Sequence, residues 1–217
     1  MNLYPVMLNL EDRTCVIVGG GAVAARKVDH LLNAGAYVTV ISPELHPTLI
    51  TLARDNKITV KQVAYTSGML ADLKPTLVFA ATDDTSVNQQ VVDEARSIGA
   101  LVNASSEQGE RDFINMATIQ RGDITIALST GSASPALVTH LQRQIDTFIG
   151  DEYVTLSTWM GQARPLVQAG IKSQSERAAL WRRVLESSIL DTLRQGEAST
   201  AQQLFDQIIH EALDHSV

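Results

Sequence analysis

The run Cys15-Val16-Ile17-Val18-Gly19-Gly20-Gly21-Ala22-Val23-Ala24-Ala25-Arg26-Lys27 constrains the fold more than any other stretch. Four apolar residues lead into three glycines. A helical apolar pattern follows at Val23, Val28, Leu31 and Leu32. This is the strand–turn–helix that opens a dinucleotide-binding βαβ unit. Gly19 allows the tight turn. Gly21, lacking a Cβ, lets a pyrophosphate approach the unpaired N–H groups at the helix N-terminus. Ala24 takes the third position of G-x-G-x-x-G/A, where a small residue lets helix and strand pack closely. Alone, the motif also fits a glycine-rich βα turn that binds nothing.

The pattern continues as strands over 14–18, 37–41, 58–63, 77–81 and 101–103, with helices over 22–33, 47–54 and 85–98. Val38-Thr39-Val40-Ile41 is nearly continuous in β-branched residues, as a strand covered on both faces should be. The alternation with short connections predicts a Rossmann-type doubly wound parallel sheet. After Asn103 the character changes. A further strand is expected over 124–128. Ser129-Thr130-Gly131-Ser132-Ala133-Ser134-Pro135 then opens a helix to about Phe148, with Ser134 as N-cap and proline in the first turn. Beyond Asp151 only helical signals remain, over 152–162, 165–169, 176–194 and 200–214. The expected division is a nucleotide domain over 1–113, a central segment over 114–149 and a helical domain over 150–217.

Composition narrows the function classes. A hydrophobic content of 45% over 217 residues is ample for a core. The net charge of −7 argues against non-specific nucleic-acid binding. Cys15 is the single cysteine, so no internal disulfide forms. With no signal-like or membrane-length apolar run, a cytoplasmic protein off the membrane is expected.

An acid at the end of the second strand commonly takes the ribose 2′-OH of NAD. Here Glu44 stands slightly late, in Ile41-Ser42-Pro43-Glu44, and no arginine is there for a 2′-phosphate, so NAD is favoured over NADP. Pro43 either packs on the adenine or ends the strand. Thr82, Asp83 and Asp84 sit at the carboxyl end of the fourth strand, where such sheets bind ligands, and Asp83 and Asp84 serve equally well as helix caps. None of the five histidines has metal-ligand spacing. Between Gly161 and Arg183, Arg164, Lys172, Arg177, Arg182 and Arg183 face one acid, Glu176. That is either a solvated helix face or, with Arg111, Arg121 and Arg143, a surface for a polycarboxylate.

Four segments, Val18–Lys27, Val38–Glu44, Ala80–Gln89 and Ile126–Pro135, together resemble the precorrin-2 dehydrogenases, which include the N-terminal module of siroheme synthase. The resemblance runs from about Leu3 to Ile145 and weakly covers the helical end. It implies NAD-dependent oxidation of precorrin-2 to sirohydrochlorin on the route to siroheme or cobalamin, and a homodimer assembled through the central segment. It places Ala22 and Val23 at the pyrophosphate turn and Pro43 and Glu44 beside the adenosine. Asn103, Ser129, Thr130, Gly131 and Ser134 are the candidates to meet the substrate. Two departures stand out. Bifunctional members, which also insert iron, carry an aspartate where this chain has Ser106. The family's Phe-Ile-x-Pro-Ala reads Phe113-Ile114-Asn115-Met116 here. Ser106, with Glu110 or Asp112 as a replacement carboxylate, completes the candidate catalytic set. The expected activity is dehydrogenation with a separate chelatase downstream. The alternatives are a bifunctional dehydrogenase–ferrochelatase, a nucleotide-sensing regulatory module, and a methyltransferase using the same glycine loop.

Overall fold

The computed structural model describes residues 3–105, 111–131 and 133–214. The chain divides into two compact units at Asn115 and Met116. The expected segments 114–149 and 150–217 thus fall almost wholly within the second.

The first unit is a five-stranded parallel sheet. Its strands are β1 (Thr14–Val18), β2 (Tyr37–Ile41), β3 (Thr59–Lys61), β4 (Leu77–Ala80) and β5 (Leu101–Ala104), in the order β3-β2-β1-β4-β5. Three helices connect them: α1 (Ala22–Asn33), α2 (Pro47–Arg54) and α3 (Thr85–Ser97). Alternate residues of each strand go to opposite faces. Cys15, Ile17, Val38, Val40 and Phe79 pack with Val28 and Leu31 of α1 and Leu49 of α2. Val16, Val18, Ile41, Val78 and Val102 pack with Val91, Val92 and Ala95 of α3. Both faces are covered, which is why β1 reads as an unbroken apolar run. Each fully buried aliphatic side chain contributes about 1.5–3 kcal/mol. Burial pushes the Cys15 thiol up to about 11, against a smaller opposing effect of the Leu77 backbone, so it stays protonated within this core.

Helix α1 ends where the glycine pattern predicts. Gly35 takes φ 75°, and Gly35 and Ala36 return their N–H groups to the carbonyls of Leu32 and Leu31. The connection before β4 is pinned by one carboxylate. Glu94 accepts from the Tyr65 hydroxyl and from the backbone of Gly68, Leu70 and Ala71. Partial burial pushes its pKa up, and these four donors outweigh that and hold it below the ordinary value.

The second unit opens with an antiparallel pair, β6 (Ala117–Arg121) and β7 (Ile124–Leu128), followed by α4 (Pro135–Phe148), α5 (Asp151–Gly170), α6 (Gln174–Glu186), α7 (Ile189–Arg194) and α8 (Ala198–Asp214). Strand β6 is absent from the sequence expectation. Its Thr118, Gln120 and Arg121 mask the pattern, and pairing with β7 supplies the hydrogen bonds. The expected break at Pro165 does not occur, since α5 runs through it. The carbonyl that Pro165 leaves without a donor is that of Gly161, one turn earlier, where no side chain adds to the crowding. The single helix expected over 176–194 is instead two. The Ser187 hydroxyl donates to the Val184 carbonyl and accepts from the Ile189 N–H, turning the chain between α6 and α7. Leu156, Val167, Val184, Ile189, Phe205 and Ile209 form the core of this helical part. Among the described residues, no helix is long and apolar enough to cross a membrane.

Candidate functional site

All five strands are parallel, so their carboxyl ends lie at one edge. Val18 is in register with both Ile41 and Ala80, and Ala80 with Ala104. The segments following β1, β2 and β4 therefore emerge side by side. β1 lies between β2 and β4, so the connections leave in opposite directions on its two sides. This is the switch point at which open α/β sheets bind ligands.

The three glycines have distinct jobs. Gly19 sits at φ 121°, and a Cβ there would collide with the Ala81 carbonyl. Gly20, to which sequence reading assigns nothing, carries the tightest approach: its Cβ would collide with the Glu44 carbonyl and crowd the Ser42 side chain. Its own carbonyl accepts from the His46 N–H at 2.7 Å. Gly21 is the N-cap of α1, in extended conformation, with nothing within 4 Å of an added Cβ. Two glycines thus close the turn, and the third holds a space open.

At that space α1 has no side-chain cap and no acid in its first turn. Its first N–H groups, from Ala22 and Val23 onward, have no intrahelical acceptor. Val23 is 41% exposed at the same end. The helix that follows β4 differs. Asp84 caps α3 by accepting from the Ser86 and Val87 N–H groups, and the Ser86 hydroxyl leads the interactions that hold its carboxyl below the ordinary range. An open cradle, unpaired N–H groups and the positive end of a helix suit the pyrophosphate of a nicotinamide dinucleotide.

Beside the cradle, Pro43 and Glu44 are exposed. The Ser42 hydroxyl holds the Glu44 carbonyl at 2.7 Å, and Gln62 Nε2 donates to the Pro43 carbonyl at 3.4 Å. This fixes the path that presents the Glu44 carboxylate. Lys61 is in register with Ile41, so tertiary pairing brings a cation to this end. On the other side, the Thr82 backbone and hydroxyl are locked by the buried Asn88, whose amide donates back to the Thr82 carbonyl at 2.9 Å. Asp83 is exposed. Asn103 is 6% exposed, and its amide donates to the Phe113 carbonyl at 2.8 Å and accepts from Lys27 at 3.3 Å.

Ser106 and Glu110 fall outside the described residues. Asp112 is placed, and its carboxylate already has partners. One carboxylate oxygen accepts from the Val102 N–H and the other from Arg96, while its own N–H returns to the Val102 carbonyl. It seals the open edge of β5, and both oxygens are engaged. Ser129, Thr130, Gly131 and Ser134 belong to the second unit, and their hydroxyls serve the turn itself. Ser129 accepts from the Gly131 N–H, Thr130 accepts from the Ser134 N–H, and Ser134 caps α4 by accepting from the Leu137 N–H. Of the basic residues, Arg121 pairs with Asp146 and Arg183 with Glu211, while Arg177 donates to the carbonyls of Ile171 and Lys172.

Asn88, Ser42, Lys27 and Lys61 are the residues that sequence reading passes over. Asn88, Lys27 and Ser42 lie within the segments that carry the family resemblance, the one signal able to mark them. The Ser42 and Lys61 placements follow from strand register.

Known proteins match this arrangement. A family model described as "Putative NAD(P)-binding" covers residues 6–117, just over half of the chain. A second, "Sirohaem synthase dimerisation region", covers 152–209, within the segment expected to be the helical domain rather than within 114–149. The siroheme synthase of Nitrosospira multiformis is 33% identical over 221 residues, which is 100% of this chain and 46% of that protein. The siroheme synthase of Nitrosococcus oceani is 36% identical over 202 residues, 93% of this chain and 43% of that protein. The chain thus spans under half the length of these curated relatives. A solved structure, SirC, precorrin-2 dehydrogenase, shares the fold with a TM-score of 0.77 at 24% identity, over 94% of this chain and 100% of that one. The siroheme synthase similarity runs along the chain, and the NAD(P)-binding match covers nearly all of the first unit and just over half of the chain, so this protein belongs to the family described as "Putative NAD(P)-binding".

Proposed function

We propose that the chain is an NAD-dependent dehydrogenase that oxidises precorrin-2 to sirohydrochlorin in siroheme biosynthesis. The observation that carries this is the uncapped N-terminus of α1 behind the open Gly21, at the switch point and beside an exposed Glu44. In this reading the N–H groups of Ala22 and Val23 hold the pyrophosphate, and Glu44 accepts from the adenosine ribose. Thr82, locked by Asn88, shapes the floor beneath the nicotinamide, and Asn103 faces the substrate. Bound there, NAD supplies the hydride acceptor. The substrate gives up a hydride and a proton, and the proton leaves to water or to a carboxylate of the loop after β5. The chain's contribution is chiefly orientation. Glu110 and Asp112 are the candidate bases, Asp112 while it also holds Arg96 and the β5 edge.

The same reading makes the protein a homodimer through its second unit. Helix α4 buries no residue within the chain, and Leu137, Leu141 and Phe148 are 48%, 38% and 67% exposed. Sedimentation at micromolar concentration should give a dimer, and a monomer would remove this part of the proposal. We also read the activity as lacking efficient iron insertion, because Ser106 stands where bifunctional relatives carry an aspartate and an unactivated hydroxyl is a poor base. A separate chelatase then supplies that step.

Anaerobic incubation with precorrin-2 and NAD should yield NADH and the sirohydrochlorin spectrum together. NAD binding without turnover would favour a sensing module. Equal efficiency with NADP at low cofactor concentration would overturn the NAD preference and point to Lys61. A large enzyme-dependent acceleration of ferrous iron uptake by sirohydrochlorin would restore the bifunctional alternative.

A further inference from the structure

Lys27 sits in the second turn of α1 with its side chain half-buried. Its Nζ lies 3.3 Å from Asn103 Oδ1 and 4.5 Å from the centre of the Phe79 ring. Phe113 packs edge-on against Phe79, with ring centres 5.3 Å apart. Phe79 and Asn103 are in register on adjacent strands, so both project from the same face of the sheet. Val78 and Val102 project from the other face, toward α3. Lys27 therefore reaches from α1 across the face of β4 toward β5, near the carboxyl edge where the candidate nucleotide site lies.

The electrostatics there are incomplete. The ammonium is met by a neutral amide and an aromatic face. No carboxylate among the described residues pairs with it. Burial lowers its pKa, and the like charges of Arg26 and then Arg111 lower it further, to about 8. A partly desolvated cation with cationic neighbours gains most from an anion. The Asn103 amide is itself fixed by the Phe113 carbonyl, so it directs one N–H of Lys27. An ammonium carries three donors, which leaves others for a ligand. The pyrophosphate cradle lies at the start of α1, and Lys27 is directed away from it toward β5.

We propose that Lys27 anchors a carboxylate of the acidic macrocyclic substrate, with Asn103 fixing the direction of its ammonium. This rests on the dehydrogenase reading above for the identity of the substrate.

The test uses the full chain with Lys27→Met, which keeps an unbranched apolar stem against Phe79, and Lys27→Arg, which keeps the charge. Two readouts are independent of turnover: NAD affinity by calorimetry, and the binding of uroporphyrin, an eight-carboxylate macrocycle, by fluorescence quenching. Lys27→Met should keep its melting temperature and bind NAD within twofold of wild type. It should weaken uroporphyrin binding and raise the KM for precorrin-2 about tenfold or more, as loss of a charge-assisted hydrogen bond implies. Its kcat should change far less, its KM should depend less on salt, and Lys27→Arg should recover most of the loss. Unchanged macrocycle binding and KM in folded Lys27→Met would overturn the proposal. So would a selective loss of NAD affinity, which would assign the cation to the cofactor, or a general loss together with a fallen melting temperature. A wild-type protein that binds no macrocycle overturns the anchoring as well. A wild type that binds uroporphyrin through Lys27 but does not oxidise precorrin-2 would leave the anchor standing and remove the dehydrogenase reading.

Discussion

The turn at Gly19–Gly21 and the turn from Ser129 to Ser134 share one local grammar: a strand, a run of small residues, then a helix. They differ in what happens to the first N–H groups of that helix. At α4 the chain satisfies its own helix: the Ser134 hydroxyl takes the Leu137 N–H, and Thr130 and Ser129 close the turn behind it. At α1 the cap position is Gly21, which has no side chain to offer, and the space before it is open. A capped helix start is complete in the folded chain, whereas an uncapped one leaves its first N–H groups to water or to a ligand. Small residues before a helix therefore do not identify an anion site by themselves, and the presence or absence of the cap distinguishes the two cases.

The largest effect should come from Gly20→Ala. A methyl group there meets the Glu44 backbone carbonyl, which cannot rotate aside. We expect a loss of about 3 kcal/mol or more, with nucleotide binding abolished. Gly21→Ala is the matched control, since its methyl enters open space and should leave thermal unfolding within a degree or two. If Gly20→Ala unfolds at the wild-type temperature, the assignment of separate jobs to the two glycines fails.

Next comes Gly21→Asp, which converts the first turn into a copy of the second. The new carboxylate would cap α1 and occupy the pyrophosphate position with a like charge. Stability should hold or rise by about 0.5–1 kcal/mol, while NAD affinity measured by calorimetry falls a hundredfold or more. Retained affinity would show that the dinucleotide does not use this helix end.

The smallest effect is Ser134→Ala. Removing the α4 cap should cost about 1 kcal/mol in denaturant unfolding. NAD affinity should be unchanged and the substrate KM should stay within twofold. A tenfold rise in KM would show that this turn does meet the substrate, and would make the two turns alike in function after all.

Legibility from sequence followed the range of the interactions involved. The expected bounds of β1, β2, β7, α1 and α4 coincide with the observed ones, and each rests on a short-range signal. Those signals are continuous β-branched runs, a glycine stop, or a serine cap followed by proline. Strand β6 was hidden because its polar residues make sense only opposite β7. The helix through Pro165 and the break at Ser187 went unread because both depend on what packs around them. In the candidate site, the glycine turn, Pro43, Glu44, Thr82 and Asp83 were all legible, since each follows directly on a recognisable strand. The partners of Asp112, Val102 and Arg96, were not legible because they are set by the path of the chain back along β5.

The amino-acid order by itself determined the parallel α/β unit and the position of its nucleotide turn, because hydrophobic period, glycine placement and capping residues act within a few residues of one another. Only the tertiary structure decided that Gly20 bears the close approach to Glu44, that Asn88 locks Thr82, and that Lys27 reaches Asn103 across the face of Phe79. Those relations join residues from different strands and helices. Strand register and helix packing, rather than local propensity, set which side chains meet and which charges are left facing an open edge.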